Sequence, residues 1–317
     1  MVTGAPLRIA FFGTPEFAVP TLQKLIDSRH QVVAVVSQPD RPKGRGHHEQ
    51  PTPTRMVADR AGVDMLQPAR VRDEAFYQAV RALRLDLAVV AAYGRILPDE
   101  LLAIPRFGMI NVHASLLPEY RGAAPVHRAV IDGQRETGIT IMRVVRELDA
   151  GPMFAKAVRP IGEDETSVEV EQGLAHAGGD LLLDVVEQIA SGAANEEPQD
   201  HQRATYAPKL TKGEGAIDWG LPGARIHNLV RGLQPWPLVS AHLDGRRYLI
   251  HRTSRTREHA GATGGAIVEA SGDRLSVAAG DGEVLRILQI QPEGKRVMTA
   301  REFLAGRTIP AGAQFQP

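Results

Sequence analysis

The fold class predicted for this chain is α/β: a Rossmann-like parallel sheet covered by helices, followed by a small OB-like β-barrel. Two observations carry that expectation. Over the first two-thirds of the 317 residues, short apolar runs alternate with stretches of helical periodicity. From about Tyr206 the character changes to short strand-like runs at regular spacing, separated by glycines.

Leu7–Phe12 (LRIAFF), Gln31–Ser37 (QVVAVVS), Asp86–Ala91 (DLAVVA) and Gly108–His113 (GMINVH) are continuous apolar or β-branched runs, as expected of strands buried on both faces. Between them Thr21–Ser28, Thr54–Ala61 and Asp73–Leu83 place their apolar residues at helical spacing. Such alternation gives parallel strands joined by crossover helices, with functional loops at the strand C-terminal ends. Thr137–Val145 and Ala155–Ile161 read as two more strands. A helix follows from about Thr166 to Ala190, opened by a Thr166-x-x-Glu169 capping box. After a helix at Ala224–Gly232, strands are expected at Leu238–Leu243, Arg247–Arg252, Gly265–Glu269, Arg274–Ala278 and Val284–Ile290. Gly245, Gly272 and Gly282 mark turns between several of them, a pattern that suits a small barrel. The expected division is a catalytic domain over residues 1–206 and a barrel domain over 207–317.

Composition narrows the function classes. Hydrophobic residues at 43% and charged residues at 23% describe a folded globular chain rather than a disordered one. With no cysteine, disulfides, thiolate catalysis and Cys-ligated zinc are excluded. Met1–Pro6 is short and uncharged, and no run approaches the roughly 18 apolar residues of a membrane span. A soluble cytoplasmic protein working as a monomer is expected. The 37 basic and 37 acidic residues cancel overall, but residues 207–317 hold 15 basic against 10 acidic, leaving the front part at −5. A basic rear third suits contact with phosphates.

The first strand ends in Phe12-Gly-Thr-Pro-Glu16, without the second glycine that lets a dinucleotide pyrophosphate approach a helix. A nicotinamide or flavin dinucleotide is therefore not expected, and Gly13 is either a tight turn or a ligand contact. The densest cluster of chemical groups is Ile110-Asn-Val-His-Ala-Ser-Leu-Leu-Pro-Glu-Tyr-Arg-Gly-Ala-Ala-Pro125. Asn111 and His113 are two apart at the end of a predicted strand, so both project to one side. An amide that donates to an oxyanion beside an imidazole that moves a proton suits acyl transfer to an amine. Asp149, in Glu147-Leu-Asp-Ala-Gly151, is either a turn residue or the carboxylate that orients His113.

Asn111-x-His113, Ser115-Leu-Leu-Pro118 with Arg121-Gly122, and Leu148-Asp149 together resemble the signature of the folate-dependent formyltransferases. The resemblance runs from about Leu7 to Gly306. It implies that Asn111, His113 and Asp149 form the catalytic trio and that 10-formyltetrahydrofolate is the co-substrate, with no metal. It also implies a folate-binding set of Tyr93, Gly94, Ile96 and Leu97, from a loop similar to the family's pterin pocket, with Ser115, Leu116, Leu117 and Pro118. Phe11-Phe-Gly-Thr-Pro-Glu-Phe17 and the long Gln38–Arg55 insertion resemble the branch acting on methionyl-tRNA. That likeness implies that Arg41, Lys43 and Arg45 meet tRNA phosphates and that initiator methionyl-tRNA is the partner. Three departures stand out: His47-His48-Glu49 where lysines are usual, Glu119-Tyr120 where a basic residue and an aromatic are common, and Pro152 where an acidic residue is common. The alternative acceptor is a nucleotide-linked amino sugar. A non-catalytic folate sensor is disfavoured by the intact trio. Trp236, between two prolines, is expected to be a packing anchor rather than a base-stacking platform.

Overall fold

The computed structural model describes residues 4–43, 48–310 and 312–317. By compactness the chain forms two units. One comprises the residues up to Ala123 with Thr137–Arg159 and Glu171–Ala207; the other comprises Ala124–Glu136, Pro160–Val170 and the chain from Pro208.

In chain order the front of the molecule contains β1 (Arg8–Gly13), α1 (Ala18–Ile26), β2 (Gln31–Val36), β3 (Arg41–Lys43), β4 (His48–Gln50), α2 (Pro53–Ala61), β5 (Met65–Leu66) and α3 (Glu74–Ala82). There follow β6 (Leu87–Ala91), α4 (Asp99–Leu102), β7 (Met109–His113), β8 (Arg121–Gly122), α5 (Pro125–Ile131), β9 (Glu136–Arg143), β10 (Met153–Pro160), α6 (Ser167–Ser191) and β11 (Tyr206–Ala207). A seven-stranded sheet runs β10-β9-β7-β6-β1-β2-β5. β1 is parallel to β2 and β6, β6 to β7 and β2 to β5, while β9 runs antiparallel to β7. The order reverses between β1 and β6, so their C-terminal ends form the crevice in which open α/β sheets bind ligands.

Local chemistry explains the element boundaries. Ile9–Phe12 and Leu87–Val89 are buried on both faces, as continuous apolar runs require. Thr52 caps α2 by accepting from Arg55 N at 3.3 Å, Pro53 occupies its first turn, and Gly62 ends it at φ 66°. α1 begins three residues earlier than its periodicity suggested, because Pro20 falls in the first turn, where a missing N–H costs nothing. The capping box of α6 is present: Glu169 Oε2 accepts from Thr166 N at 2.8 Å, and Glu169 N donates to Thr166 Oγ1 at 3.3 Å.

The second unit is built on α7 (Gly223–Gly232), β12 (Val239–Leu243), β13 (Arg246–His259), β14 (Ile267–Ser271), β15 (Arg274–Ala278), β16 (Glu283–Pro292), β17 (Met298–Thr299) and α8 (Ala300–Ala305). The strands pair antiparallel in the order β12-β13-β16-β15-β14, with β17 on β16. The chain's last residues join the two edges. Gln316 and His242 exchange backbone bonds at 2.7 and 2.9 Å on the β12 side, and Phe315 N donates to Gly265 O at 2.8 Å beside β14. Gly245, Gly272 and Gly282 adopt φ values of 70°, 64° and 83° at the expected turns. Trp219, Tyr248, Phe303 and Phe315 meet through their rings in the core.

By compactness two segments from before residue 206 join the second unit. Ala124, the N-cap of α5, and Ile131 of α5 belong to the same buried cluster as Ile226 and Val230 of α7. The 160–170 segment is tied to that unit by polar contacts: His227 Nε2 to Glu163 O at 3.0 Å, Arg231 Nη1 to Glu165 O at 3.1 Å, and Ser167 Oγ to Gln234 O at 2.8 Å. Helical spacing tells which face of α5 is buried but not what covers it.

Burial lowers the pKa of His30, His127 and His227 from the ordinary 6.5. His30 Nδ1 accepts from Leu7 N at 3.1 Å, a bond that protonation of that atom would break. Because the folded pKa values lie below 6.5, the unfolded chain binds more protons just under that pH. The stabilisation is therefore complete above about pH 6.5 and is lost as the pH falls through the folded values. Urea midpoints should drop between pH 7.5 and 5.5, and the drop should shrink in His30→Gln and His227→Gln proteins. An unchanged drop in both would remove this account.

Candidate active site

β7 alternates as its sequence suggested. Ile110 and Val112 are buried in the sheet's packing, while Asn111 and His113 point to the other face, level with Met142 and Thr140 of β9. Asn111 is half-buried, and its carboxamide bonds to no described residue. His113 is buried; its Nε2 donates to Tyr120 O at 3.1 Å, which leaves Nδ1 facing Asp149 Oδ2 at 3.7 Å. The same Asp149 oxygen accepts from Gly122 N at 2.9 Å. Asp149 itself sits at φ 48°, a left-handed conformation that, after glycine, short polar side chains tolerate best. The predicted trio is thus assembled from one strand end and one distant turn.

The loop after β7 is held from below. Thr140 Oγ1 donates to Ser115 O at 2.7 Å and accepts from Leu117 N at 3.1 Å, and Leu117 packs on Met142 and Met153. Tyr120, at φ 58°, donates its N–H to Thr205 Oγ1 at 2.9 Å, and β8 pairs with β11. Gly122 at φ 119° would place a Cβ 2.8 Å from Ala207 O, so only glycine fits. The departures at the site mouth are accommodated: Glu119 lies 3.6 Å from Arg203, and Pro152 O accepts from Arg143 N at 2.8 Å.

The predicted folate residues divide by exposure. Ala92 and Gly94, at φ 47° and 77°, turn the loop after β6 and are exposed, and Ile96 is 84% exposed. Tyr93 and Leu97 are core residues beneath it; the Tyr93 ring stands edge-on to Phe12 at 5.6 Å, and its carbonyl accepts from Gln38 Nε2 at 2.9 Å. Ser115 and Leu117 are buried as well, with the Ser115 hydroxyl donating to Glu119 O at 2.6 Å, while Pro118 is buried and Leu116 half-buried. β6 and β7 are adjacent and parallel, so both loops leave the sheet at the same edge. At Gly13 a Cβ would lie 2.9 Å from Ala91 O, a close approach that favours glycine there.

Of the predicted tRNA residues, Arg41 and Lys43 lie at alternate positions of the β3–β4 hairpin, and Arg45 is outside the described residues. Asp40 ties the base of the insertion by accepting from Thr52 N at 3.2 Å and Gln67 Nε2 at 2.8 Å and by pairing with Arg55. Burial opposes its ionisation, but these partners together hold its carboxyl below the usual range. Arg55 is thereby engaged within the fold. Trp236 corrects its expectation: it is 50% exposed and outside the core, whose indole is that of Trp219. Sequence reading also missed Thr140, Thr205 and Gln199, whose contacts span from 23 to 85 residues and leave no local pattern. Among the described residues no group of three or more His, Asp or Glu side chains could hold a metal, and no helix is long and apolar enough to cross a membrane.

Two family models match this architecture, Formyl transferase over residues 7–186 and Formyl transferase, C-terminal domain, over residues 209–308. They define the class as enzymes of formyl transfer. The methionyl-tRNA formyltransferase of Bacillus licheniformis is 44% identical over 308 residues, covering 97% of this chain and 98% of that one. That of Geotalea uraniireducens is 43% identical over 309 residues, covering 98% of each. The chain belongs to the methionyl-tRNA formyltransferase family. Among solved structures, an N-formyltransferase from Helicobacter canadensis in complex with folinic acid and dTDP-3-aminofucose covers 90% of this chain and 99% of its own at TM-score 0.69 and 16% identity. HypX from Aquifex aeolicus with tetrahydrofolic acid covers 95% of this chain and 47% of its own at TM-score 0.66 and 16% identity. These two share the fold.

Proposed function

We propose that this chain moves the formyl group of 10-formyltetrahydrofolate to the α-amino group of initiator methionyl-tRNA, acting in the cytoplasm as a monomer. The observation that carries the reading is the meeting of an unengaged Asn111 amide with His113 and Asp149 at the C-terminal end of β7. The loop after β6 supports a folate site beside them: Ala92, Gly94 and Ile96 are exposed there, and Ile96 offers an apolar face. The Arg95 guanidinium is occupied by the carbonyls of Pro68 and Ala69 at 3.2 and 2.8 Å.

In the reaction a bond forms between the methionyl nitrogen and the formyl carbon, the bond to N10 breaks, and the amine's proton ends on N10. Asn111 donates to the formyl oxygen as negative charge gathers there. His113 takes the proton at Nδ1 and passes it to N10, and the Asp149 carboxylate 3.7 Å away stabilises the intervening imidazolium. Gly122 N keeps that carboxylate in place. The relatives at 43–44% identity over nearly the whole chain support methionyl-tRNA as the acceptor over an amino sugar.

Purified protein with 10-formyltetrahydrofolate should formylate methionyl-tRNA and leave dTDP-3-aminofucose unformylated. The reverse result would move the assignment to the sugar. If the hairpin meets phosphates, replacing Arg41, Lys43 and Arg45 together with serine should flatten the slope of log KM for tRNA against log salt by about 2–3. The folate KM should stay put, and an unaltered slope would take these residues out of the tRNA contact.

A further inference from the structure

We infer that Gln199 is a positioning residue for this reaction, holding the backbone turn that presents Asp149 to His113. The inference rests on the roles given to His113 and Asp149 above. Gln199 is buried, and both ends of its amide are used. Its Oε1 accepts from Arg121 Nε at 3.1 Å and from Arg121 Nη2 at 2.6 Å. Its Nε2 donates to the carbonyls of Asp149 at 2.9 Å and Gly151 at 2.7 Å.

Arg121 fixes which way round that amide lies. Its guanidinium is buried and meets only Gln199 and, at 3.4 Å, His201 Nδ1; no carboxylate pairs with it among the described residues. A buried cation draws the amide oxygen toward itself, which turns the NH2 group toward the 149–151 turn. That turn needs an external hold. Asp149 is in the left-handed region, and Gly151 has its back against Arg143 O, 2.0 Å from where a Cβ would stand. One chain segment therefore grips Asp149 twice, through Gly122 N on the carboxylate and through Arg121 and Gln199 on the backbone.

Gln199→Glu tests this. The carboxylate still accepts from Arg121, but its second oxygen faces two carbonyls to which it cannot donate. A displacement near 1 Å at the turn is expected to lower kcat by about 10–100-fold, with KM for folate and methionyl-tRNA within about threefold of wild type. In an Asp149→Asn background the same substitution should cost nothing further, because its effect passes through Asp149. An unchanged kcat, a loss confined to KM, or an equal additional loss in the Asp149→Asn background would overturn the inference. If Asp149→Asn alone keeps wild-type kcat, the catalytic reading of Asp149 falls and this inference with it. An impaired Asp149→Asn beside a normal Gln199→Glu rejects the positioning role alone. Should Gln199→Glu fail to fold, replacing Arg121 and Gln199 together with methionine removes both polar partners, and the same kcat loss is expected.

Discussion

An Asn111→Ala protein is expected to fold as the wild type does and to turn over about 10²–10³-fold more slowly. The two halves of that expectation have one cause. The Asn111 carboxamide is half-buried at the end of β7 and bonds to no described residue, so its removal strands no partner inside the protein. Truncations of that kind usually change stability by no more than about 0.5 kcal/mol. In the transition state the same group becomes a donor aimed at new negative charge, and losing one such donor costs about 2.7–4 kcal/mol. A ground-state formyl oxygen carries less charge, so KM should move little. Single-turnover formylation with saturating 10-formyltetrahydrofolate is the measurement. Turnover near the wild-type rate would remove Asn111 from the mechanism.

The largest effect on stability is expected from Phe315→Ala. Phe315 is fully buried; its ring stacks on Trp219 at 5.9 Å and meets Tyr248 edge-on at 6.2 Å. Emptying such a site costs about 3–5 kcal/mol, against typical domain stabilities of about 5–15 kcal/mol. The flanking backbone bonds from Phe315 to Gly265 and between Gln316 and His242 would loosen with it, leaving β12 and the start of β14 with unpaired edges. The chain's two tryptophans are Trp219 and Trp236, both in the second unit, so their fluorescence reports its unfolding selectively. The fluorescence-detected urea midpoint should fall sharply. A loss under about 1 kcal/mol would show that the barrel closes without this ring.

Much of the first unit was legible because parallel strands buried on both faces write themselves as unbroken apolar runs. Ile9–Phe12 and Leu87–Val89 are of this kind. Asn111 and His113 were legible because the strand's period of two places them together, and Asp149 because its turn sequence stood out near them. The β3–β4 hairpin was hidden, since Pro42 between Arg41 and Lys43 is poor strand chemistry. Trp236 misled because a large aromatic flanked by prolines looks the same whether it faces in or out, and half of it is exposed. Gln199 gave no signal: its amide serves residues 48 to 78 positions away, a geometry that exists only once β8, β10 and the 149–151 turn have come together.

The membership of α5 in the second unit gives this protein a timetable. Ala124 and Ile131 are made long before Trp219, Tyr248 and Phe315, the residues of their shared buried cluster. At about 5–20 residues per second, roughly 10–40 s pass between the synthesis of Ile131 and that of Phe315. Throughout that interval Ala124 and Ile131 lack the cluster that covers them, although β7 before α5 and β9 after it can already pair antiparallel. Those two apolar positions therefore stay uncovered on the nascent chain until the second unit is nearly complete.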